Sequence, residues 1–200
     1  MKAMNVSLVG VGGQGIILTA DLLAKTAANA GYEVKKSEIH GMAQRGGSVT
    51  SQVRFGDAVA SPIIQNGSAD ILVSFDKLEA VRNSGILSKD GVAIVNDLFL
   101  VPVTVSSGQQ EMIDNLDERV TRQFRKLVIM DAMKIATDEV GNARTMNMVI
   151  AGALSVFTPF KEEEWLKAMA EMLTGAKAKL LGVNEKAFKL GREAVQKFGK

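Results

Sequence analysis

Asn5-Val6-Ser7-Leu8-Val9 is a short apolar run that passes into Gly10-Val11-Gly12-Gly13-Gln14-Gly15, and an amphipathic pattern follows at once. Strand, glycine turn and helix in that order commit the chain to an α/β unit. From Gln14 to Ala30 the residues Ile16, Ile17, Ala20, Leu23, Ala24 and Ala27 recur at helical spacing, and Gly31 supplies the stop.

The same alternation continues downstream. Tyr32 to Glu38 reads as a second strand, and Val49, Ser51, Val53 and Phe55, at period two, as a third. Gly56-Asp57 and Asp90-Gly91 read as turns. Ala69 to Phe75 is a buried-type strand with a short helix after it from Lys77, and Gly91 to Asp97 is another strand. Val101-Pro102-Val103-Thr104-Val105 reads as an edge strand, because proline cannot donate to a central ladder. Met112, Ile113, Leu116, Val120 and Phe124 mark a helix with acids early and Arg119, Arg122 and Arg125 late, an order that suits the helix dipole. Leu127 to Met130 is a last strand, with a helix from Asp131.

Beyond Thr158 the pattern is helical. Glu162, Glu163 and Glu164 fall in a first turn. Asn184 is the expected N-cap of a final helix with Ala187, Phe188, Gly191, Val195 and Phe198 on its apolar face. Trp165 is expected to pack beneath these helices, and Met112, Met130, Met133 and Met169 to lie in the core. The reading is α/β: a three-layer sandwich with a mostly parallel or mixed sheet, a Rossmann-like N-terminal half and a C-terminal helical extension. Residues 1–200 form one domain, with an α/β core over 1–158 and the extension over 159–200.

Composition narrows the function. At 200 residues the chain can bury roughly 70% of its unfolded surface. A net charge of +2 lacks the basic excess of a nucleic-acid binder. No apolar run approaches the ~20 residues that span a bilayer, and Met1-Lys2-Ala3-Met4 leads straight into a strand without a signal-peptide core. A cytoplasmic protein is expected, with neither nucleic acid nor membrane as partner. The sequence has no cysteine and one histidine. It therefore offers no thiolate nucleophile, no thiolate metal site and no ligands for an ordinary iron–sulfur cluster.

Two segments carry the chemistry. Gly10, Gly12 and Gly15 satisfy G-x-G-x-x-G between strand and helix, with Glu38 further on. A turn of this kind can meet phosphates at a helix N-terminus, and a nicotinamide-dependent oxidoreductase is one reading. A turn needed only for helix–strand packing is the other. The second segment is Ser37-Glu38-Ile39-His40-Gly41-Met42-Ala43-Gln44-Arg45-Gly46-Gly47. Arg45 suits a carboxylate or phosphate, or an ion pair with Glu38. His40 suits proton transfer, or a hydrogen bond that holds its loop. Met42 and Gln44 line or position the same loop. These groups are too few to run a reaction alone.

The two segments together resemble the gamma-type subunit or domain of the 2-oxoacid:ferredoxin oxidoreductases. The lead His40-Gly41-Met42-Ala43-Gln44 into Arg45-Gly46-Gly47 is similar to the indolepyruvate-type branch. Ala69 to Leu72, Gly141 to Leu154 and Asn184 to Gly191 extend the resemblance over nearly the whole chain. It implies a small subunit of a CoA-dependent enzyme that decarboxylates an aryl pyruvate on thiamine diphosphate. It also implies that thiamine diphosphate, magnesium and the iron–sulfur clusters sit on a large alpha subunit, with ferredoxin reached through that partner. No thiamine–magnesium motif is present here, and the resemblance implies no cofactor, metal or catalytic residue held by this chain alone. The residues expected to face CoA and substrate are Gly12, Gly13, Gln14, Gly15, His40, Gly41, Met42, Gln44, Arg45, Gly46 and Gly47. The equivalent subunit for pyruvate, 2-oxoglutarate or another 2-oxoacid stays open, as does a non-catalytic module sharing the fold.

Overall fold

A computed structural model describes residues 1–40 and 47–196. Strands β1 (Met4–Val11), β2 (Glu33–His40), β3 (Ser48–Gly56), β4 (Ala69–Ser74), β5 (Leu87–Asn96) and β6 (Leu127–Met130) form one sheet in the order β2-β3-β1-β4-β5-β6. β1, β4, β5 and β6 are mutually parallel, whereas β3 runs antiparallel to both β1 and β2. The sheet is therefore mixed. The crossover through α1 (Ile16–Asn29) skips one strand position, which β3 then fills.

Side chains alternate across the sheet, as a pleat requires. Val6, Leu8, Val53, Ile71 and Val73 face a thick layer made by α1, α6 (Met146–Ser155), α7 (Glu162–Met172) and α8 (Leu181–Val195). Val9, Leu72, Ala93 and Val95 face a thinner layer in which Ala80 of α2 (Lys77–Arg82) and Val120 of α4 (Leu116–Gln123) pack. All ten residues of α6 are buried. Apart from Asn147 and Ser155 its sequence is apolar, which suits a helix enclosed by others. Trp165 of α7 is fully buried, as expected.

Several expectations need correction. Val101–Val105 is no strand: Pro102 precedes a single turn, α3 (Val103–Ser106), whose Val105 and Ser106 N–H groups bond back to the Pro102 carbonyl. Proline preorganises such a turn as readily as it blocks a ladder. The helix expected from Met112 starts at Leu116, and Met112 is exposed. Asp90-Gly91 is not a turn but lies inside β5, beside a register shift opposite Ala69. A side chain at Gly91 would meet the Ala69 carbonyl at 2.8 Å. Asn184 is not an N-cap: α8 begins at Leu181, and the Asn184 amide donates to the Leu180 carbonyl at 2.7 Å. Asp131 does cap its helix, α5 (Ala132–Lys134), which widens into a π-type turn at Ile135–Val140.

Candidate functional site

The loops that follow β1, β4 and β5, and the start of β3, meet at one edge of the sheet. This is the carboxyl edge of the parallel strands, where open α/β folds place their ligands. Gly12 donates to the Gly47 carbonyl at 2.9 Å, which ties the glycine turn to the entry of β3. Gln14 folds inward. Its Oε1 accepts from the Val11 N–H at 2.7 Å, and its Nε2 donates to the Phe75 carbonyl at 3.3 Å. The amide expected to face a ligand is thus spent on joining the β1 turn to the end of β4.

The glycines follow from this packing. A Cβ on Gly10 would lie 2.6 Å from Gln14 Oε1 and 2.8 Å from Phe75 Cβ. Gly15 has φ 87° and backs onto Asn147 of α6. Gly13, at φ 101°, has open space where a side chain would project. Gly15 occupies the N-cap of α1 and brings no side-chain cap, and the first turn carries no acid. The first N–H groups of a helix have no intrahelical partner, so α1 presents an uncapped, partially positive end beside the open space at Gly13.

A layer of polar side chains behind this edge was missed by sequence reasoning. Asp76 is buried and caps α2, its Oδ1 accepting from the Leu78 and Glu79 N–H groups at 2.8 and 3.3 Å. Its Oδ2 accepts from the Leu100 N–H at 2.7 Å and so pins the segment after β5. Burial raises the Asp76 pKa, against the pull of these three N–H donors. Glu79, also buried, accepts from Ser48 Oγ at 2.6 Å and pairs with Arg82 at 2.8 Å. Asn96 donates to the Phe75 carbonyl at 3.2 Å and accepts from the Ala132 N–H at 2.9 Å. The pattern Asp76-x-x-Glu79 ahead of an apolar position was a legible capping signal.

His40 ends β2, paired in register with Val49. Ile39 and His40 therefore extend the second strand past its expected end at Glu38, held there by β3. The His40 side chain and residues Gly41, Met42, Gln44, Arg45 and Gly46 lie outside the described part of the chain, as does any pairing of Arg45 with Glu38. Glu38 meets Lys36 at 2.6 Å, and Lys36 also pairs with Asp21 of α1. In a dinucleotide fold the acid-bearing second strand adjoins the first. Here β3 intervenes, which sets Glu38 two strand spacings, about 10 Å, from β1. That spacing disfavours a ribose grip by Glu38.

Among the described residues no cluster of three or more histidine, cysteine or acidic side chains forms a metal site, and no helix is long and apolar enough to cross a membrane.

Residues 5–194 match the model of a family described as pyruvate ferredoxin/flavodoxin oxidoreductase. The chain is 40% identical over 200 residues to the indolepyruvate oxidoreductase subunit IorB of Thermococcus kodakarensis, with 98% of each chain covered. It is 29% identical over 191 residues to the pyruvate/ketoisovalerate oxidoreductases common subunit gamma of Pyrococcus abyssi, with 94% of this chain and 93% of that one covered. Among solved structures, 98% of this chain superposes with TM-score 0.72 and 20% identity on a 2-oxoglutarate:ferredoxin oxidoreductase from Magnetococcus marinus, bound to 2-oxoglutarate, coenzyme A and succinyl-CoA. It spans 32% of that longer chain, and at this identity the likeness concerns the fold.

Proposed function

The chain belongs to the pyruvate ferredoxin/flavodoxin oxidoreductase family, and from that premise we propose that it is the small subunit of an indolepyruvate-type 2-oxoacid:ferredoxin oxidoreductase. One observation carries the choice of branch: identity to an indolepyruvate oxidoreductase subunit is 40% end to end, against 29% to a pyruvate/ketoisovalerate gamma subunit. In this reading a large cytoplasmic partner holds thiamine diphosphate, magnesium and the iron–sulfur clusters, and passes electrons to ferredoxin. Thiamine diphosphate, on the partner, supplies the electron sink for decarboxylation of the aryl pyruvate.

The residues of this chain bind and position. The open face at Gly13 and the uncapped end of α1 receive the phosphates of CoA, a fit supported by the free space and the absence of a capping carboxylate. Gln14, Asp76 and Asn96 act as positioning residues that hold the turn, the β4 end and the segment after β5 in one arrangement. His40, Gly41, Met42, Gln44, Arg45, Gly46 and Gly47 are assigned to contact with CoA and substrate, with Arg45 taking the substrate carboxylate or a CoA phosphate.

Reconstitution with the large subunit tests this. The isolated chain is expected to be inactive and to associate stoichiometrically with the thiamine- and cluster-bearing partner. Gly13→Ala crowds the phosphate path. Weakening one charge-assisted hydrogen bond, about 1.5–3 kcal/mol, corresponds to a rise of ~10–100-fold in the KM for CoA. An unchanged KM in a complex that melts like the wild type removes the loop from the CoA site. Turnover of a 2-oxoacid by the isolated chain overturns the subunit reading itself.

A further inference from the structure

A second recess, of about 320 Å³, lies on the helical face of the sheet, between α1, the start of α6, the end of α7 and the 3-10 turn Gly175–Leu180 that leads into α8. That volume is at the lower end of the range of small-molecule sites. Its walls include three methionines: Met148 and Met169 are buried and Met172 is half-buried. At its rim Leu18 and Leu180 are 40% and 41% exposed.

The polar groups of the recess are unusual in one respect. Arg144 and Lys177 line it, and no lining residue is acidic. Among the described residues neither guanidinium nor ammonium has a hydrogen bond or ion-pair partner. Asn147 lines it too, is 6% exposed, and makes no hydrogen bond through its side-chain amide. That amide is open to the recess and is left to water or a ligand there.

We infer that this recess binds an aromatic monocarboxylate. Thioethers pack favourably at ring edges, so the methionine wall suits an aryl group better than a polar one. Arg144 and Lys177 receive the carboxylate, and the fork of Arg144 can hold both oxygens. Asn147 supplies the buried polar contact that fixes orientation. The assignment rests on the recess alone and holds whether or not the Gly13 loop meets CoA. Asn147 also backs Gly15, so an occupant of the recess and the β1–α1 turn share one side chain.

Titration of the full-length chain, labelled with ¹³C at its methionine methyl groups, by 3-phenylpropionate tests the assignment. Saturable shifts are expected at Met148, Met169 and Met172 but not at the exposed Met112. The exposed pair Arg144→Gln/Lys177→Gln should weaken binding by about tenfold or more. The uncharged 3-phenylpropan-1-ol should bind more weakly by a similar factor. Absence of saturable shifts, shifts spread over all methionines, equal binding by the double variant, or equal binding of the alcohol each overturns the proposal.

Discussion

Gln14 shows how much one side chain decides at this site. Written in the sequence it is a polar residue in a phosphate-suited turn. Folded, it is the clamp between Val11 and Phe75. Gln14→Leu keeps the bulk but strands the Val11 N–H, about 1–3 kcal/mol when buried, and leaves the Phe75 carbonyl with Asn96 as its side-chain donor. Urea denaturation should show a loss of at least that order, with the m-value unchanged; a variant as stable as the wild type removes the clamp role. Asp76 is more demanding still, because its two oxygens accept from opposite directions. Asp76→Asn can satisfy one side only, since an NH2 placed against the Leu100 N–H repels it, and a loss of about 1–2 kcal/mol is expected.

Lys77 gives the residue scale its pH dependence. It is 15% exposed on its side chain and reaches Asp97 and Asp117, both at 2.7 Å. Burial alone would lower its pKa, but the two carboxylates outweigh it and the pKa is raised. A lysine raised in the folded state contributes stability in full below its unfolded value, near ~10.4. That contribution is lost as pH rises through the raised value. Denaturant melts from about pH 9 to about pH 11.5 should therefore fall more steeply for the wild type than for Lys77→Met. Parallel curves would mean that the pair is solvated away.

At the scale of elements, α6 and α8 cross with their backbones in contact. A Cβ on Gly152 would lie 1.9 Å from the Phe188 carbonyl oxygen, and one on Gly191 would lie 1.9 Å from that of Val149. Backbone cannot yield as a side-chain tip can, so Gly152→Ala or Gly191→Ala must separate the helices. The expected cost is about 3 kcal/mol or more, above the ordinary range for overpacking. Gly182, in the first turn of the same α8, faces open space. Gly182→Ala should stabilise by about 0.5–1 kcal/mol, and thermal melts of the three variants give the contrast directly. The glycines look alike in the sequence; only the facing helix tells them apart. The misplaced elements have the same origin. Val101–Val105 has strand propensity but no neighbouring strand to pair with, and Ile39-His40 leads into glycine-rich sequence but has β3 beside it.

For the molecule as a whole, the aromatic rings run in a chain from sheet to last helix. Tyr32 and Phe55 are 6.3 Å apart, Phe55 and Phe160 5.1 Å, Phe160 and Trp165 6.5 Å, and Trp165 and Phe188 5.7 Å. The same core cluster takes in residues of the sheet and of α7 and α8. Trp165 fluorescence and far-UV circular dichroism are therefore expected to report one coincident unfolding transition. An earlier transition seen by Trp165 alone would make 159–200 a separate folding unit.

Local chemistry was enough to establish most of the strands and helices, the glycine turn and its helix, and the lack of any thiol to carry electrons, because propensity, periodicity and composition act within a few residues of themselves. The motif from His40 to Gly47 was legible in the same way, as a family likeness. Strand order, the inward turn of Gln14, the clamp at Asp76 and the methionine-walled recess depended on which distant segments met. Their partners lie tens of residues away, and contacts of that kind are set by packing the whole core rather than by any window of sequence.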